Sequence, residues 1–201
     1  MTDPSQLPAD LPVPTDDGAA DHLPGLALPA IALASTAGGS VSLDTLGRDR
    51  PRTVLYVYPM TGRPAADLPE GWDSIPGARG CTPEACAFRD HHADLAAAGA
   101  DVYGLSTQST ADQAEAAERL HLPFPLLSDE DALLAQPPLL LPAFEAGGRL
   151  RYKRLTLVIA EGRIEHVFYP VFPPDTHAAE VLTWLQFGNS GNEDPPSPDT
   201  A

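Results

Sequence analysis

"GARGCTPEACAFRD", residues 77–90, contains both cysteines of the chain, Cys81 and Cys86, within one helical pattern. From Cys81 onward the pattern positions Ala85, Phe88, His92, Leu95 and Ala96 recur at helical spacing, and Gly99 marks the stop. Pro83 breaks a helix interior but is tolerated in the first turn, where its missing N–H has no partner to lose. It therefore dates the helix start to within a residue or two of Cys81, and Gly80 permits the sharp turn into it. A thiol at that place is a candidate nucleophile, because free N–H groups and the helix dipole favour the thiolate. Arg79 and Arg89 are the cations nearest in sequence, and they are expected to lower the thiol pKa further. The plainer alternative is a buried cysteine serving as a small hydrophobe, although a glycine-flanked helix start is a poor place for core packing.

Cys86 is the natural partner of Cys81. Five residues along an intact helix separate the two Cα atoms by a rise of about 7.5 Å and turn them about 140° apart. A disulfide needs Cα atoms within roughly 7 Å and facing Cβ vectors. The pair can bridge only if the first turns unwind, which disfavours a static disulfide and leaves a transient one open. Cys81, Cys86, His91 and His92 form the one candidate metal cluster, and it is disfavoured. Zinc sites usually place paired cysteines two to four residues apart, and ligands spread along one straight helix cannot surround one ion.

Working outward, "TVLYVYP" (53–59) is a continuous β-branched and aromatic run, as expected of a strand buried on both faces. "DVYGLST" (101–107) is the next strand, and "TADQAEAAERLH" (110–121) is an amphipathic helix with Thr110 as its expected cap. "PAIALAST" (29–36) and "VSLD" (41–44) flank a glycine turn, and "LTLVIA" (155–160) and "RIEHVFYP" (163–170) flank Glu161-Gly162, so each pair reads as a hairpin. "FPLLSDED" (124–131) is a short extended piece, and "DTHAAEVLTWLQF" (175–187) closes the pattern as a helix. Strands alternating with helices, followed by a hairpin and a last helix, define an α/β fold on a mixed sheet flanked by helices. "AQPPLLLPAFEAGG" (135–148) reads as a loop that packs on the body. His91 and His92 read as surface and packing residues, His166 as a sheet residue, and Tyr58 and Tyr169 as core or rim aromatics.

With 201 residues and 43% hydrophobic content, the chain has enough material for one domain with a real core. Residues 1–25 and 189–201 are rich in proline and acidic residues and have no apolar period, so both are expected to be disordered tails on a domain spanning 26–188. Twelve Lys and Arg against 28 Asp and Glu give a net charge of −16, which argues against nucleic acid as a partner. No basic n-region with an apolar run opens the sequence, and no stretch approaches a membrane span, so no membrane partner and a cytoplasmic location are expected. In a reducing compartment, a close cysteine pair points to redox or metal chemistry rather than to a disulfide scaffold.

At this point the residues resemble the peroxiredoxins, specifically the bacterioferritin-comigratory/PrxQ group. "GCTPEACAFRD" is similar to that group's cysteine signature. "VLYVYP" before it and "VYGLSTQST", "PFPLLSDED" and "KRLTLVIAEGRIEHVF" after it match in order, as does the last helix with Trp184. The resemblance runs from about Leu26 to Leu185. It implies a thioredoxin-like fold with an N-terminal β-hairpin extension, needing no cofactor or metal. It implies a thiol-dependent peroxidase for hydrogen peroxide or organic hydroperoxides. Cys81 would be the peroxidatic cysteine and Cys86 the resolving one, forming an intramolecular disulfide that thioredoxin or a similar dithiol reduces. Arg154 matches the family arginine that holds peroxide and thiolate, and Glu84 matches the acidic or amide residue three positions after the peroxidatic cysteine. A monomer or homodimer is compatible with the sequence.

Two features depart from the family pattern. Ala78 stands where the family places Thr or Ser three residues before the peroxidatic cysteine, and residues 60–80, "MTGRPAADLPEGWDSIPGARG", replace a short loop by a long irregular segment. Thr61, just past the "VLYVYP" strand, is the expected source of the missing hydroxyl, with Ser74 as second choice, because strand ends of an α/β sheet open into its active crevice. Trp72 and Ile75 mark part of the segment as packed. A thiol–disulfide oxidoreductase or redox sensor on the same fold, and a non-catalytic binding domain with weakened peroxidase activity, remain alternatives. The first is expected to carry C-x-x-C rather than this spacing, and the loss of the threonine keeps the second open.

Overall fold

A computed structural model describes residues 11–64 and 66–188. Its centre is a seven-stranded mixed sheet in the order β2-β1-β5-β4-β3-β8-β9, formed by β1 (Ala32–Ser35), β2 (Ser40–Ser42), β3 (Arg52–Val57), β4 (Ala100–Ser106), β5 (Leu126–Ser128), β8 (Leu155–Ala160) and β9 (Arg163–Phe168). β3 pairs parallel with β4, and β4 with β5; β8 runs antiparallel to β3 and to β9. The helices are α1 (Cys81–Asp90), α2 (His92–Ala97), α3 (Thr110–Leu120) and α4 (His177–Phe187). Among them none is long and apolar enough to cross a membrane.

The two-residue period of β3 divides the core. Val54, Tyr56 and Tyr58 face a cluster with Phe88 of α1, Leu95 of α2 and Val181 and Leu185 of α4. Leu55 and Val57 face the opposite cluster, with Leu23, Leu43, Leu134 and Tyr152. Gly104 of β4 is required by close approach: a Cβ there would lie 2.5 Å from Leu126 and 2.7 Å from the Tyr56 ring. The Tyr56 ring crosses at that point and stacks on Phe88 at 4.6 Å between centroids. That stack seats α1 on the sheet.

Several expectations are corrected. The helix expected to run unbroken from Cys81 to Gly99 divides at His91, whose backbone leaves the helical region (φ −95°, ψ 4°) and whose ring takes up the Ala87 carbonyl at 3.0 Å. The cap of α3 is Ser109, which accepts the Asp112 N–H at 3.2 Å, rather than Thr110. The N-terminal tail expected to end at residue 25 is, over 11–25, part of the body: Leu23 is fully buried, His22 bonds the Leu139 carbonyl at 2.8 Å, and Asp17 binds Lys153 and Tyr169. Buried Ala20 and Leu23, the His22 hydrogen bond and the bonds of Asp17 hold a stretch whose composition reads as unstructured. Residues 1–10 and 189–201 lie outside the described residues.

The loop expected over 135–148 contains a strand. β6 (Ala143–Ala146) and β7 (Arg149–Tyr152) form a hairpin around Gly147 and Gly148, both at positive φ. This hairpin accounts for the long segment 60–80. Trp72, 3% exposed, packs with Ala78 and Ala146 and lies 6.1 Å from the Phe144 ring. The segment is thereby pressed between the hairpin and the start of α1.

Candidate active site

Gly80 sits in the left-handed region (φ 102°), so the chain can turn abruptly and α1 begins at Cys81. The Cys81 side chain is 4% exposed. Its sulfur lies 3.2 Å from Nη2 of Arg154, at the end of the short link between β7 and β8. The backbone N–H of Met60, three residues past β3, also donates to it. In the thiol form the sulfur faces the Ala78 carbonyl at 3.7 Å.

Arg154 is the hub of the site. Nε donates to the Gly77 carbonyl at 3.3 Å and Nη2 to the Arg79 carbonyl at 3.0 Å, while Nη1 pairs with Glu84. One guanidinium thus fixes the last residues of the long segment, the first turn of α1 and the sulfur together. Arg154 and Glu84 are both buried, and Oε1 of Glu84 has no hydrogen-bond partner among the described residues.

The electrostatics differ from the sequence expectation. Arg79 pairs with Asp73, and Arg89 with Asp90 and the Leu120 carbonyl, so neither serves the Cys81 sulfur. Burial pushes the Cys81 thiol up, Arg154 pulls it back, and Glu84 adds to the upward push. Burial likewise pushes Glu84 up to about 7 against the pull of Arg154. The folded state therefore holds the Glu84 proton more tightly than the unfolded chain does. The stability this confers is full below about pH 4.5 and is lost as the pH climbs through 7, linked to roughly 3 kcal/mol. Chemical denaturation between pH 5 and 8 is expected to show that decline in the native chain and a flatter profile in Glu84→Gln; parallel profiles would mean that Glu84 titrates normally.

Both cysteines are free thiols; Cys81 is buried, whereas Cys86 is half-buried and Arg89 hydrogen-bonds it. With α1 intact from Cys81 to Asp90, the two thiols keep the helical separation that forbids a bridge. Thr61 is buried, its backbone held at both ends by the Gln108 amide (2.7 and 3.1 Å), and its hydroxyl hydrogen-bonds Tyr58. Ser74 is exposed and donates to Gly71 at 2.6 Å, away from the sulfur. Two contributors escaped the sequence reading: Met60, which acts through its backbone, and Arg151, which is 8% exposed and electrostatically coupled to Cys81. Neither has a local signal, because each is defined by where the chain brings it. Of the histidines, His166 stacks on Trp184 at 4.6 Å and His92 lies against Phe124, both outside the thiol site.

A helix-start thiol under a buried arginine, on a mixed sheet flanked by helices, defines a thioredoxin-like protein built for thiolate chemistry. Residues 23–182 match the Redoxin family, and the chain belongs to its peroxiredoxins of the Bcp/PrxQ group. It is 32% identical to peroxiredoxin Bcp of Escherichia coli (strain K12) over 142 residues, covering 67% of this chain and 78% of that protein. Against the chloroplastic peroxiredoxin Q of Oryza sativa subsp. japonica it is 33% identical over 162 residues, covering 81% of this chain and 66% of the rice protein's length. The crystal structure of peroxidoxin BcpB from Mycobacterium tuberculosis superposes with a TM-score of 0.65 at 30% identity, covering 82% and 97% of the two chains. A PrxQ mutant from Xylella fastidiosa gives 0.64 at 24% identity, a likeness of fold.

Proposed function

We propose that this chain reduces hydrogen peroxide or organic hydroperoxides with Cys81 as the peroxidatic thiol and Cys86 as the resolving one. The observation that carries the assignment is the Cys81 sulfur, 3.2 Å from a buried arginine at a helix start. The Cys81 thiolate attacks the terminal peroxide oxygen. An S–O bond forms and the O–O bond breaks; the sulfur is oxidised to sulfenic acid, and the departing oxygen takes up one proton to leave as water or an alcohol. Arg154 and the Met60 N–H are donors already aimed at the sulfur, so they stabilise the thiolate without reorganisation. Thr61 is assigned the hydroxyl that Ala78 lacks. Its burial beside Met60 supports that role, which requires the hydroxyl to leave Tyr58 for the reacting oxygen.

The Cys86 thiol then attacks the sulfenic sulfur of Cys81; the S–S bond forms as the S–O bond breaks, and the hydroxyl leaves with the Cys86 proton as water. A dithiol such as thioredoxin returns both to thiols and is itself oxidised, which ties the activity to a reducing compartment such as the cytoplasm. Bridging requires α1 to unwind, and the break at His91 allows that without moving α2.

In Cys86→Ser, stoichiometric hydrogen peroxide is expected to leave a sulfenic acid on Cys81, found by mass spectrometry. The oxidised native chain is expected to run as a monomer on non-reducing gels, with amide exchange raised across residues 80–90. Labelling only elsewhere would overturn the Cys81 assignment. A disulfide-linked dimer lost in Cys86→Ser would move resolution between chains.

A further inference from the structure

Near enough to the Cys81 sulfur to interact with its charge is a second buried guanidinium that the reaction above does not use. Arg151 is 8% exposed, its Nε has no hydrogen-bond partner among the described residues, and its Nη1 reaches only the Thr107 hydroxyl, at 3.5 Å. That hydroxyl already gives its proton to the Leu150 carbonyl at 2.8 Å, so it serves Arg151 as an acceptor alone. A buried guanidinium whose Nε–H has no acceptor is costly unless an anion completes it.

No carboxylate among the described residues pairs with it, although Asp67, Asp112 and Glu130 line the cavity it borders. Arg151 lines a cavity of about 270 Å³ together with Met60, Thr61, Gln108, Arg149 and Asp112. Asp112 is engaged by Arg63 and by the Ser109 hydroxyl at 2.9 Å, and Glu130 lies 3.8 Å from Arg149. Burial lowers the Arg151 pKa and Arg149 lowers it further, while Asp112 and the Cys81 sulfur act in the opposite direction. The sulfur itself takes its hydrogen bonds from Arg154 and Met60. Met60 and Thr61 therefore separate the two positions: one side of this short stretch donates to the reacting sulfur, and the other borders the cavity.

We propose that Arg151 and its cavity form an anion subsite that selects hydroperoxides bearing a carboxylate within a short chain of the reacting oxygen. A guanidinium fork matches a carboxylate in geometry and charge, and the cavity holds only a small organic group. Arg151 acts here as a specificity-determining residue, and the chemistry at Cys81 is the same for every substrate. The inference rests on the peroxidase reading of Cys81.

The test compares a short-chain hydroperoxy carboxylic acid with its methyl ester, with hydrogen peroxide as a third substrate and a dithiol as reductant. The native chain is expected to favour the acid over the ester by about tenfold or more in kcat/KM, carried by KM. In R151Q the acid-to-ester ratio is expected to fall towards one, and in R151K to fall part of the way, because lysine keeps the charge without the fork. Both substrates meet the same thiol, so any change in the Cys81 pKa cancels in the ratio. Equal rates for acid and ester in the native chain would overturn the subsite, and that comparison stands even if R151Q does not fold. A preference that survives unchanged in R151Q would place the anion elsewhere. Failure to reduce all three substrates would instead overturn the peroxidase reading.

Discussion

Cys81→Ser is expected to lower peroxide reduction by at least about a thousandfold, the largest effect of any single change in this chain. The serine hydroxyl stays protonated at neutral pH and cannot undergo the two-electron oxidation that sulfur does, so no first step remains. The fold should survive, because the side chain is of similar size and the serine hydroxyl can donate to the Ala78 carbonyl as the thiol does. Single-turnover reduction of hydrogen peroxide, with the thermal transition followed in parallel, reads both outcomes. Cys86→Ser is the internal contrast, since it should keep the first turnover and lose recycling. Retention of more than a tenth of the native rate in Cys81→Ser would mean that the reacting thiol lies elsewhere.

Arg154→Gln comes next in size, and its effects separate by pH. The change removes the cation that draws the Cys81 thiol downward while leaving the burial that pushes it up. The pH midpoint of Cys81 alkylation should therefore rise, and peroxide reduction should fall by more than alkylation at matched thiolate fraction, since only the former uses the donors around the reacting oxygen. The same change strands Glu84, which is fully buried and pairs with Arg154. Breaking a buried pair in this way costs about 3–5 kcal/mol. The cost should be felt above neutrality and shrink as the pH falls and Glu84 takes up its proton, because the neutral carboxyl needs no counter-charge. An unshifted alkylation midpoint, or a loss of stability that is the same at pH 5 and pH 8, would reduce Arg154 to a packing residue.

Both effects depend on an arrangement that sequence reading reaches unevenly. The start of α1 is legible because it is local: Gly80 takes a left-handed turn that other residues avoid, and Pro83 fits only a first turn. The apolar runs of β3 and β8 are legible for the same reason, as is the separation of Cys81 and Cys86 that forbids a bridge on an intact helix. Arg154 is different. It lies 73 positions beyond Cys81 in the chain, and family resemblance rather than any local rule singled it out. The arginines that proximity in sequence favoured, Arg79 and Arg89, are turned to Asp73 and Asp90. Even the direction of the Cys81 shift could not be read locally, because desolvation depends on which surfaces close over the sulfur.

The packing of residues 11–25 and the β6–β7 hairpin divide along the same line. Composition describes a Pro- and Asp-rich stretch correctly as poor in regular structure, but Leu23 finds a buried place in a core assembled from distant strands. Gly147-Gly148 marks a turn, yet what the hairpin does is press Trp72 onto Ala78 and hold Arg151 at the cavity that Met60 and Thr61 border. The sequence by itself determined the elements whose causes lie within a few residues: backbone sterics, first-turn hydrogen bonding and side-chain period. Only the tertiary structure decided which charges meet the sulfur, which carboxyl is pushed towards neutrality and which guanidinium is left with donors to fill, because burial and Coulomb interactions act through space between residues that the chain order keeps far apart.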